Sequence, residues 1–408
     1  MSIRDEAIKL HKDHGGKLAV ASKVPVKTKY DLSLAYTPGV AEPCKDIKEN
    51  KELSFDYTCR GNMIAVVSDG TRVLGLGDIG PEAAMPVMEG KAVLFKTFAD
   101  VDAVPICLDS KDPVEIIKAV RMLQPSFCGI NLEDFSSPKC YDIEDELKKI
   151  MDIPVFHDDQ HGTAIAVPSA VTGGLRFVKK DLKNVKVVVN GCGAAGTAIG
   201  RLLVHMGATN VTMVDLFGAL YDGIDVELNR VQKALAKVTN KDKVQGKLAD
   251  IVKGADVLIG LSAPGVFTKE ILQSMNKDAI VLACCNPVPE VKYEDAKEWG
   301  VRVVGTGASG VPNQVNNVIV FPGVFRGAID VRAKQITEEM KVAAVYAISN
   351  LIADADLRED YVIPDAFDPR VAPAVAAAVA KVAMETGQAR LTVDPQTVHE
   401  NTVKRVGR

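Results

Sequence analysis

Two pairs of acidic residues stand where the sequence predicts that buried strands end. The first pair is Glu133 and Asp134, the second is Asp158 and Asp159, and each pair follows a short apolar run. Because open α/β sheets bind ligands at the carboxyl ends of their strands, we expect the four side chains to share one edge. So much negative charge needs a cation, and a purely oxygen ligand set favours Mg²⁺ or Mn²⁺ over zinc. Solvated loop acids or helix caps are the alternative interpretation, but two such pairs together favour a functional site.

A glycine-rich loop downstream has the pattern of a dinucleotide-binding turn. Gly191, Gly193 and Gly196 fall in G-x-G-x-x-G register between a predicted strand and a predicted helix. These glycines allow a tight turn and close approach of the backbone, including that of Ala194 and Ala195, to a pyrophosphate. A plain turn of an α/β sheet is the alternative. A hard divalent ion beside a nicotinamide cofactor indicates oxidation of a hydroxy acid, with the metal polarising an oxygen.

The acid that follows the glycine loop bears on the choice of cofactor. Asp215 ends the next predicted strand, about 20 residues on, where a carboxylate binds a ribose 2′-hydroxyl. Its charge would repel a 2′-phosphate, and the following Leu216 and Phe217 offer no cation. The sequence therefore favours NAD over NADP, unless a Lys or Arg from further along the chain reaches the same place.

Two histidines around the second acidic pair raise a rival interpretation. On a helix, His157 and His161 would place two imidazoles on one face, as in a zinc hydrolase. That pattern needs Glu after the first histidine, whereas Asp158 stands there, and the segment is expected to be leaving a strand. Zinc hydrolysis is therefore disfavoured.

The elements that must position these residues predict an α/β protein of two domains. Residues 1–160 are expected to form an N-terminal α/β domain that holds substrate and metal, and residues 161–408 a doubly wound, Rossmann-type NAD-binding domain. The C-terminal helical segment from about residue 313 is expected to pack back on the first domain. The predicted strands are 63–67, 73–76, 103–108, 127–132, 153–156, 185–189, 211–215, 257–261, 280–284 and 301–305, the first two forming a hairpin around Asp69 and Gly70. Helices are predicted over 113–123 and 143–150 and near 162–179.

Composition narrows the class of partner. The chain has 408 residues, of which 47% are hydrophobic and 25% charged, with a formal net charge of −4. That charge gives no electrostatic reason to expect nucleic acid or an anionic membrane, so the substrate is expected to be a small molecule.

No run approaches the roughly 18 apolar residues of a membrane span, and charges are scattered through the first ten residues, so we expect a cytoplasmic protein. The eight cysteines form no Cys-x-x-Cys, and Cys107, Cys128, Cys284 and Cys285 lie in apolar runs, so buried thiols are expected.

Taken in order, several motifs resemble those of the malic enzyme family in its short bacterial form, and the resemblance covers nearly the whole chain. The family oxidatively decarboxylates malate to pyruvate and CO₂ with NAD or NADP and a divalent metal. The segments that carry the resemblance are 36–44 (YTPGVAEPC), 68–80 (SDGTRVLGLGDIG), 89–91 (EGK), 131–135 (NLEDF), 156–163 (FHDDQHGT), 285–287 (CNP) and 312–317 (PNQVNN).

The resemblance implies a role for each matching residue. It implies that the metal ligands are Glu133, Asp134 and Asp159, that the general base is Lys91 supported by Asp158, and that the acid protonating the enol is Tyr36. It further implies substrate or cofactor contacts by Arg72, Asn286 and Asn316. The sequence departs from the family pattern at Ala308 and Gly310, where relatives often carry Arg and Asp, so contacts of that loop do not carry over.

The residue types suit this chemistry and leave other functions open. Lys91 is expected to act in its neutral form, with burial and a nearby metal lowering its pKa. A homodimer is what the resemblance implies. Malolactic conversion of malate to lactate on the same scaffold is the nearest alternative, and a catalytically silent NAD-sensing protein is an alternative of another class. An amino-acid dehydrogenase would need no cluster of carboxylates.

Overall fold

Four parallel strands form the first sheet of the computed structural model, which describes residues 2–73 and 75–407. The strand order is β2–β1–β3–β4, so the first strand of the sequence lies inside the sheet. From Ile64 onward the apolar side chains of β1 are buried, as are those of β3, which is expected for parallel strands covered by helices on both faces. The strands are β1 (Met63–Ser68), β2 (Asp102–Cys107), β3 (Gly129–Leu132) and β4 (Val155–His157).

The hairpin predicted after β1 is wrong. β1 pairs in parallel with β2 and β3, and Val73 makes only an isolated bridge to Gly77, while residue 74 lies outside the described residues. Gly70 does form a turn, with a φ of +69°. Its carbonyl accepts a hydrogen bond from Ile79 N at 3.0 Å, so the chain folds towards the next helix instead of returning along β1.

Seven helices accompany the first sheet within the described residues. The predicted helix 113–123 is confirmed, since Asp112 caps it by accepting a hydrogen bond from Val114 N and Pro113 opens its first turn. The helices are α1 (Ile3–His14), α2 (Lys29–Ala35), α3 (Ala41–Glu49), α4 (Ser54–Tyr57), α5 (Pro81–Ala99), α6 (Pro113–Leu123) and α7 (Lys139–Ile150). Short 3-10 turns cover Lys51–Leu53, Cys59–Asn62 and Gln124–Ser126.

The second sheet has the doubly wound arrangement predicted from the sequence. Its order is β10–β9–β8–β5–β6–β7, with the two-residue β7 antiparallel to β6. Because β5 has β6 on one side and β8 on the other, the direction of winding reverses there, which creates the crevice where such sheets bind ligands. The strands are β5 (Lys186–Asn190), β6 (Asn210–Asp215), β7 (Gly218–Ala219), β8 (Val257–Gly260), β9 (Ile280–Ala283) and β10 (Val303–Thr306).

One long helix, α8, joins the two sheets along the chain. It runs without interruption across the predicted boundary at residue 160, which stays a prediction. The C-terminal segment is mainly helical and packs back on α5, where Phe95 contacts Phe321 and Phe325 with ring centroids 4.6 and 5.2 Å apart. The helices are α8 (Asp158–Val178), α9 (Ala194–His205), α10 (Arg230–Ala236), α11 (Leu248–Ile251), α12 (Lys269–Gln273), α13 (Tyr293–Glu298), α14 (Phe321–Asp330), α15 (Glu338–Ser349), α16 (Val371–Glu385) and α17 (Pro395–Val406), with a 3-10 turn at Asn317–Ile319.

The cysteines are free thiols of differing exposure. Of the four expected to be buried, only Cys128 is fully buried, whereas Cys107, Cys284 and Cys285 are partly exposed. Within residues 2–73 and 75–407, no helix is both long and apolar enough to cross a membrane.

Candidate active site

Three of the predicted carboxylates meet where β3 and β4 end. Glu133 and Asp134 follow β3, and Asp159 lies in the first turn of α8, which begins directly after β4. One carboxylate oxygen from each of the three lies within 4.8 Å of the other two. Asp134 adopts a left-handed φ of +59°, and its backbone N donates a hydrogen bond to Asp159 Oδ2 at 2.8 Å. This sharp turn after β3 brings the carboxylates of Glu133 and Asp134 close to that of Asp159.

The electrostatics of this cluster fit a divalent cation. Burial raises the pKa of Glu133 to about 8, and burial together with the charges of Asp159 and Glu133 raises the pKa of Asp134 to about 9. Burial would also raise the pKa of Asp159, but the hydrogen bond and the charge of His157 outweigh burial, so the pKa of Asp159 is lowered. One oxygen of Asp134, Oδ2, is buried and has no hydrogen-bond partner within the described chain. Oxygen ligands with unbalanced negative charge are the donor set that Mg²⁺ and Mn²⁺ take.

Lys91 extends from α5 into the same cluster. Its Nζ lies 2.7 Å from Asp158 Oδ2, 3.1 Å from Glu133 Oε1 and 4.2 Å from the centre of the Phe321 ring. Burial alone would lower the pKa of Lys91, but the charges of Asp158 and Glu133 outweigh it, and the pKa lies above its ordinary value. The charge of Asp158 thus favours the ammonium form of Lys91 over the neutral form expected from the sequence.

Asp158 is held by residues that the sequence analysis missed. Its Oδ2 accepts a hydrogen bond from Asn317 Nδ2 at 3.1 Å, and a Cβ on Gly162 would lie 2.1 Å from its Oδ1. The predicted neighbour, Asn316, instead accepts a hydrogen bond from Val318 N at 3.0 Å and caps the 3-10 turn. The motif at 312–317 located this segment, but only the turn of the backbone selects which asparagine faces Asp158.

A buried network behind the carboxylates occupies the two histidines. Glu144 accepts hydrogen bonds from His157 N at 3.2 Å and Gln160 Nε2 at 3.0 Å, and lies 2.8 Å from His161 Nε2. Burial lowers the pKa of His161 to about 3, and its Nδ1 lies 2.9 Å from Lys341 Nζ. His157 ends β4 and α8 begins at the next residue, so the histidines do not share a helix as in a zinc hydrolase. Sequence analysis missed Glu144, which nothing in the local pattern distinguishes from a solvated helix acid.

The glycine loop has the geometry that its pattern predicts. Gly191 follows β5 with a φ of +121°, which favours glycine, and Gly193 precedes α9. A Cβ on Gly196 would lie 1.9 Å from Gly191 O, so the helix approaches the strand too closely for any side chain there. Ala194 and Ala195 form the first turn of α9, whose free N–H groups are suited to bind a pyrophosphate.

Asp215 lies beside the glycine loop at the end of β6. Its Oδ2 accepts a hydrogen bond from Cys192 N at 2.6 Å, and its Oδ1 accepts one from Leu216 N at 2.7 Å. The exposed Lys247 donates from Nζ to Leu216 O at 2.6 Å. A cation from further along the chain therefore does reach the neighbourhood of Asp215.

Arg72 and Asn286 lie on facing loops of the two sheets. Arg72 N donates to Asp134 O at 2.9 Å, so the loop after β1 is tied to the carboxylate cluster. A Cβ on Gly75, in the same loop, would lie 3.8 Å from Asn286 O. Burial raises the pKa of the Cys285 thiol, and the positive charge of Arg72 opposes that rise. The loop of Arg72 and the segment of Asn286 thus lie next to each other.

Tyr36 is the predicted site residue that the single chain does not bring to the cluster. It follows α2, and its side chain is 67% exposed. Among the residues that the structure describes, none forms a hydrogen bond with the Tyr36 hydroxyl. Its backbone alone is engaged, with N donating to Leu32 O at 2.9 Å and O accepting from Val40 N at 2.7 Å.

The doubly wound sheet, the glycine loop and the acid after β6 define a dinucleotide-binding oxidoreductase with a carboxylate and lysine cluster at the edge of a second sheet. The family model described as "Malic enzyme, N-terminal domain" matches residues 15–148, and "Malic enzyme, NAD binding domain" matches residues 160–384. The chain belongs to the malic enzyme family.

Individual relatives agree with this assignment. The chain is 58% identical to the "Bifunctional malic/malolactic enzyme" of Bacillus subtilis, over 99% of this chain and 98% of the relative. It is 50% identical to the "NAD-dependent malic enzyme" of Geobacillus stearothermophilus, over 96% of this chain and 81% of the relative. The crystal structure of the Pyrococcus horikoshii malic enzyme superposes with a TM-score of 0.96 at 44% identity, covering 100% of this chain and 96% of that one.

Proposed function

We propose that the protein oxidises malate with NAD(P) and decarboxylates the product, so that pyruvate, CO₂ and reduced nicotinamide are formed. The observation that carries this proposal is the contact of Lys91 with Asp158 and Glu133 within a carboxylate cluster, in a chain whose second sheet has a dinucleotide loop after β5. A base, a cation site and a hydride acceptor site are the parts that oxidation followed by decarboxylation of a hydroxy acid requires.

Glu133, Asp134 and Asp159 would hold a divalent ion, Mg²⁺ or Mn²⁺. When bound, such an ion supplies Lewis acidity at the C2 oxygen of the substrate, both during oxidation and while the carbon–carbon bond breaks. The turn at Asp134 and the hydrogen bond from its N to Asp159 Oδ2 keep the ligand oxygens converged.

The residues of the chain then handle protons and orientation. A bound divalent cation would offset the carboxylate charges that raise the pKa of Lys91. In its neutral form Lys91, held by Asp158, would take the proton of the C2 hydroxyl as a hydride leaves C2 for the nicotinamide. Loss of CO₂ leaves an enolate, and Tyr36 would deliver a proton to its C3 to give pyruvate. Arg72 would pair with a substrate carboxylate.

Two asparagines at the crevice would orient the substrate or the cofactor. Asn286 follows β9 and faces the loop of Arg72, whereas Asn316 already uses its side chain to cap a turn. Asn317, which donates to Asp158 Oδ2, is the better placed of the neighbouring pair to keep the lysine and its partner acid in position.

For the cofactor we propose a preference for NAD. Gly191, Gly193 and Gly196, with the first turn of α9, would bind the pyrophosphate, and Asp215 would accept a hydrogen bond from the ribose. The carboxylate of Asp215 disfavours a 2′-phosphate. Lys247, which bonds to Leu216 O, is the group that would let NADP bind with lower affinity.

The test is a malate assay with NAD and with NADP, in Mn²⁺ and with a chelator, that measures pyruvate and reduced nicotinamide together. We expect equimolar pyruvate and NADH, and loss of both with the chelator. Asp159→Ala should abolish turnover while NAD still binds, and Asp256→Asn, which alters a carboxylate of the second sheet, serves as the control. Turnover that resists the chelator, or an active Asp159→Ala variant, would contradict the proposal. An NAD-sensing protein would bind NAD without turnover.

Malolactic conversion is a second candidate because a relative at 58% identity bears the name "Bifunctional malic/malolactic enzyme". In that reaction the reduced cofactor stays bound and returns its hydride to pyruvate, so lactate forms without net NADH. Measuring lactate in the same assay separates the two reactions, and lactate without accumulated NADH would identify the second.

We further propose that the enzyme is a homodimer in the cytoplasm and acts on small molecules, without a nucleic-acid or membrane partner. Sedimentation of the purified protein at several concentrations tests the dimer. A monomer at assay concentrations would contradict it.

A further inference from the structure

Glu290 is a buried acid to which the proposed reaction gives no role. It lies between β9 and α13, four residues after Asn286, and none of its surface is exposed to solvent. Burial raises the pKa of Glu290, and hydrogen bonds from backbone groups oppose that rise. Burying an ionised carboxylate is costly unless its oxygens are bonded, so the donors that bond to Glu290 indicate what it does.

The two oxygens of Glu290 accept hydrogen bonds from two different segments of the second sheet. Oε1 accepts from Ser262 N at 2.9 Å, and Oε2 accepts from Cys285 N at 3.0 Å. Ser262 follows β8 and Cys285 follows β9, so a single carboxylate joins the segments that leave two neighbouring strands. Gly260 ends β8 and leaves room for this side chain, since a Cβ there would lie 2.5 Å from Glu290 Cδ.

These two segments lie on the side of β5 away from Asp215. β5 stands between β6, which ends at Asp215, and β8, and β9 lies beyond β8. With the pyrophosphate at the loop after β5 and a ribose at Asp215, we expect the nicotinamide half of the cofactor to extend over the ends of β8 and β9. Ser262 and Asn286 are exposed there, whereas Glu290 is buried and bonded to their segments.

The same segments contact both the dinucleotide loop and the loop of Arg72. Asn190, the last residue of β5, donates from Nδ2 to Ser262 Oγ at 2.7 Å, directly before the glycine loop begins. A Cβ on Gly75, in the loop of Arg72, would lie 3.1 Å from Pro287 Cδ. The positions of the segments after β8 and β9 therefore bear on where a nicotinamide lies relative to the pyrophosphate and to the substrate.

We propose that Glu290 is a positioning residue, which fixes the nicotinamide end of the cofactor site by holding together the segments after β8 and β9. The inference rests on the proposed function, which assigns NAD(P) to this crevice. A carboxylate suits the task because each of its two oxygens is an acceptor, one for each backbone N–H. The amide of glutamine has the same shape but only one oxygen, so in either orientation its NH₂ group faces one of the two N–H donors.

The test compares two nucleotides on the Glu290→Gln variant by titration calorimetry. NAD reaches the segments after β8 and β9, whereas ADP-ribose has the adenosine, the pyrophosphate and the second ribose but lacks the nicotinamide. We expect the affinity for NAD to fall by about tenfold, the order expected when one buried N–H donor loses its acceptor. The affinity for ADP-ribose should stay that of the wild type, which also verifies that the variant is folded.

A matched control is Glu294→Gln, which makes the same change at an exposed acid of α13 and should bind both nucleotides as the wild type does. A purely structural role of Glu290 would lower the unfolding temperature of Glu290→Gln without changing the ratio of the two affinities. Equal loss of affinity for NAD and ADP-ribose, or loss of neither, would overturn the proposal.

Hydrogen exchange of the unaltered protein gives a second test that does not depend on whether the variant folds. At single-residue resolution, the amides of Ser262 and Cys285 should exchange more slowly than that of the exposed Ala263, because each is bonded to a buried acceptor. NAD should slow them further, and ADP-ribose should not. Amides that exchange as fast as that of Ala263, or that respond equally to both nucleotides, would overturn the role of Glu290. Wild-type protein that binds neither nucleotide would instead overturn the proposed function.

Discussion

Binding of a divalent ion to the carboxylate cluster should release protons. Burial raises the pKa of Glu133 to about 8 and, with the neighbouring charges, that of Asp134 to about 9, so both are protonated in the ion-free protein at neutral pH. A ligating carboxylate must be ionised. We therefore expect release of about two protons per ion at pH 7 and about one near pH 8.5. The apparent dissociation constant should tighten by about 100-fold per pH unit up to neutral pH.

Titration calorimetry with Mn²⁺ in two buffers of different ionisation enthalpy measures this proton release directly. The matched control is Asp256→Asn, which removes the carboxylate that precedes β8. The pKa of Asp256 is lowered, because its hydrogen bonds to Lys180 and to the backbone of Lys186 outweigh the effect of burial. Asp256 is therefore already ionised at neutral pH and has no proton to release. That variant should release the same number of protons as the wild type. Ion binding with no proton release, and with equal affinity at pH 6 and pH 8, would refute the reasoning.

The same pKa shifts predict how the free energy of unfolding changes with pH. In the unfolded chain Glu133 and Asp134 have ordinary pKa values of 4.5 and 3.8, and in the folded protein both pKa values are higher. Between about pH 4 and pH 9 the folded ion-free protein therefore holds protons that the unfolded chain has released. Its free energy of unfolding should therefore fall as pH rises, by about 1.4 kcal/mol per pH unit for each retained proton. Added Mn²⁺ should raise the unfolding temperature more at pH 8 than at pH 6.

Two further predictions concern the cofactor site. Gly196→Ala should lower both the unfolding temperature and the affinity for NAD, because the new Cβ would lie 1.9 Å from Gly191 O. Gly193→Ala should leave the unfolding temperature unchanged, because no atom lies within 4 Å of the position of its Cβ. Equal unfolding temperatures of the two variants would contradict this packing argument. Asp215→Ala should lower kcat/KM for NAD by about tenfold and raise the NADP to NAD ratio, since it removes both the ribose acceptor and the charge that repels a 2′-phosphate. Steady-state kinetics with both cofactors measure this, and an unchanged ratio would count against the role of Asp215.

The sequence by itself determined the parts of this protein that depend on local spacing. The glycine register at Gly191, Gly193 and Gly196 predicts a turn between strand and helix, and at Gly191 and Gly196 the backbones approach too closely for a side chain. Strand ends located Glu133 and Asp159 at one sheet edge, since parallel strands share their carboxyl ends. The predicted start of α6 at residue 113 is confirmed, and the structure shows its local causes, since Asp112 caps the helix and Pro113 has a helix-compatible φ.

Only the tertiary structure decided what depends on residues distant in the chain. The turn after β1 shows its turn signal in the sequence, but the partners of β1 are β2 and β3, so no hairpin forms. The pKa of Lys91 depends on Asp158 and Glu133, whose charges outweigh burial, which alone would lower that pKa. Glu144 supports His157 and His161 from another helix. The exposure of Tyr36, likewise, is a property of tertiary packing that no local pattern encodes.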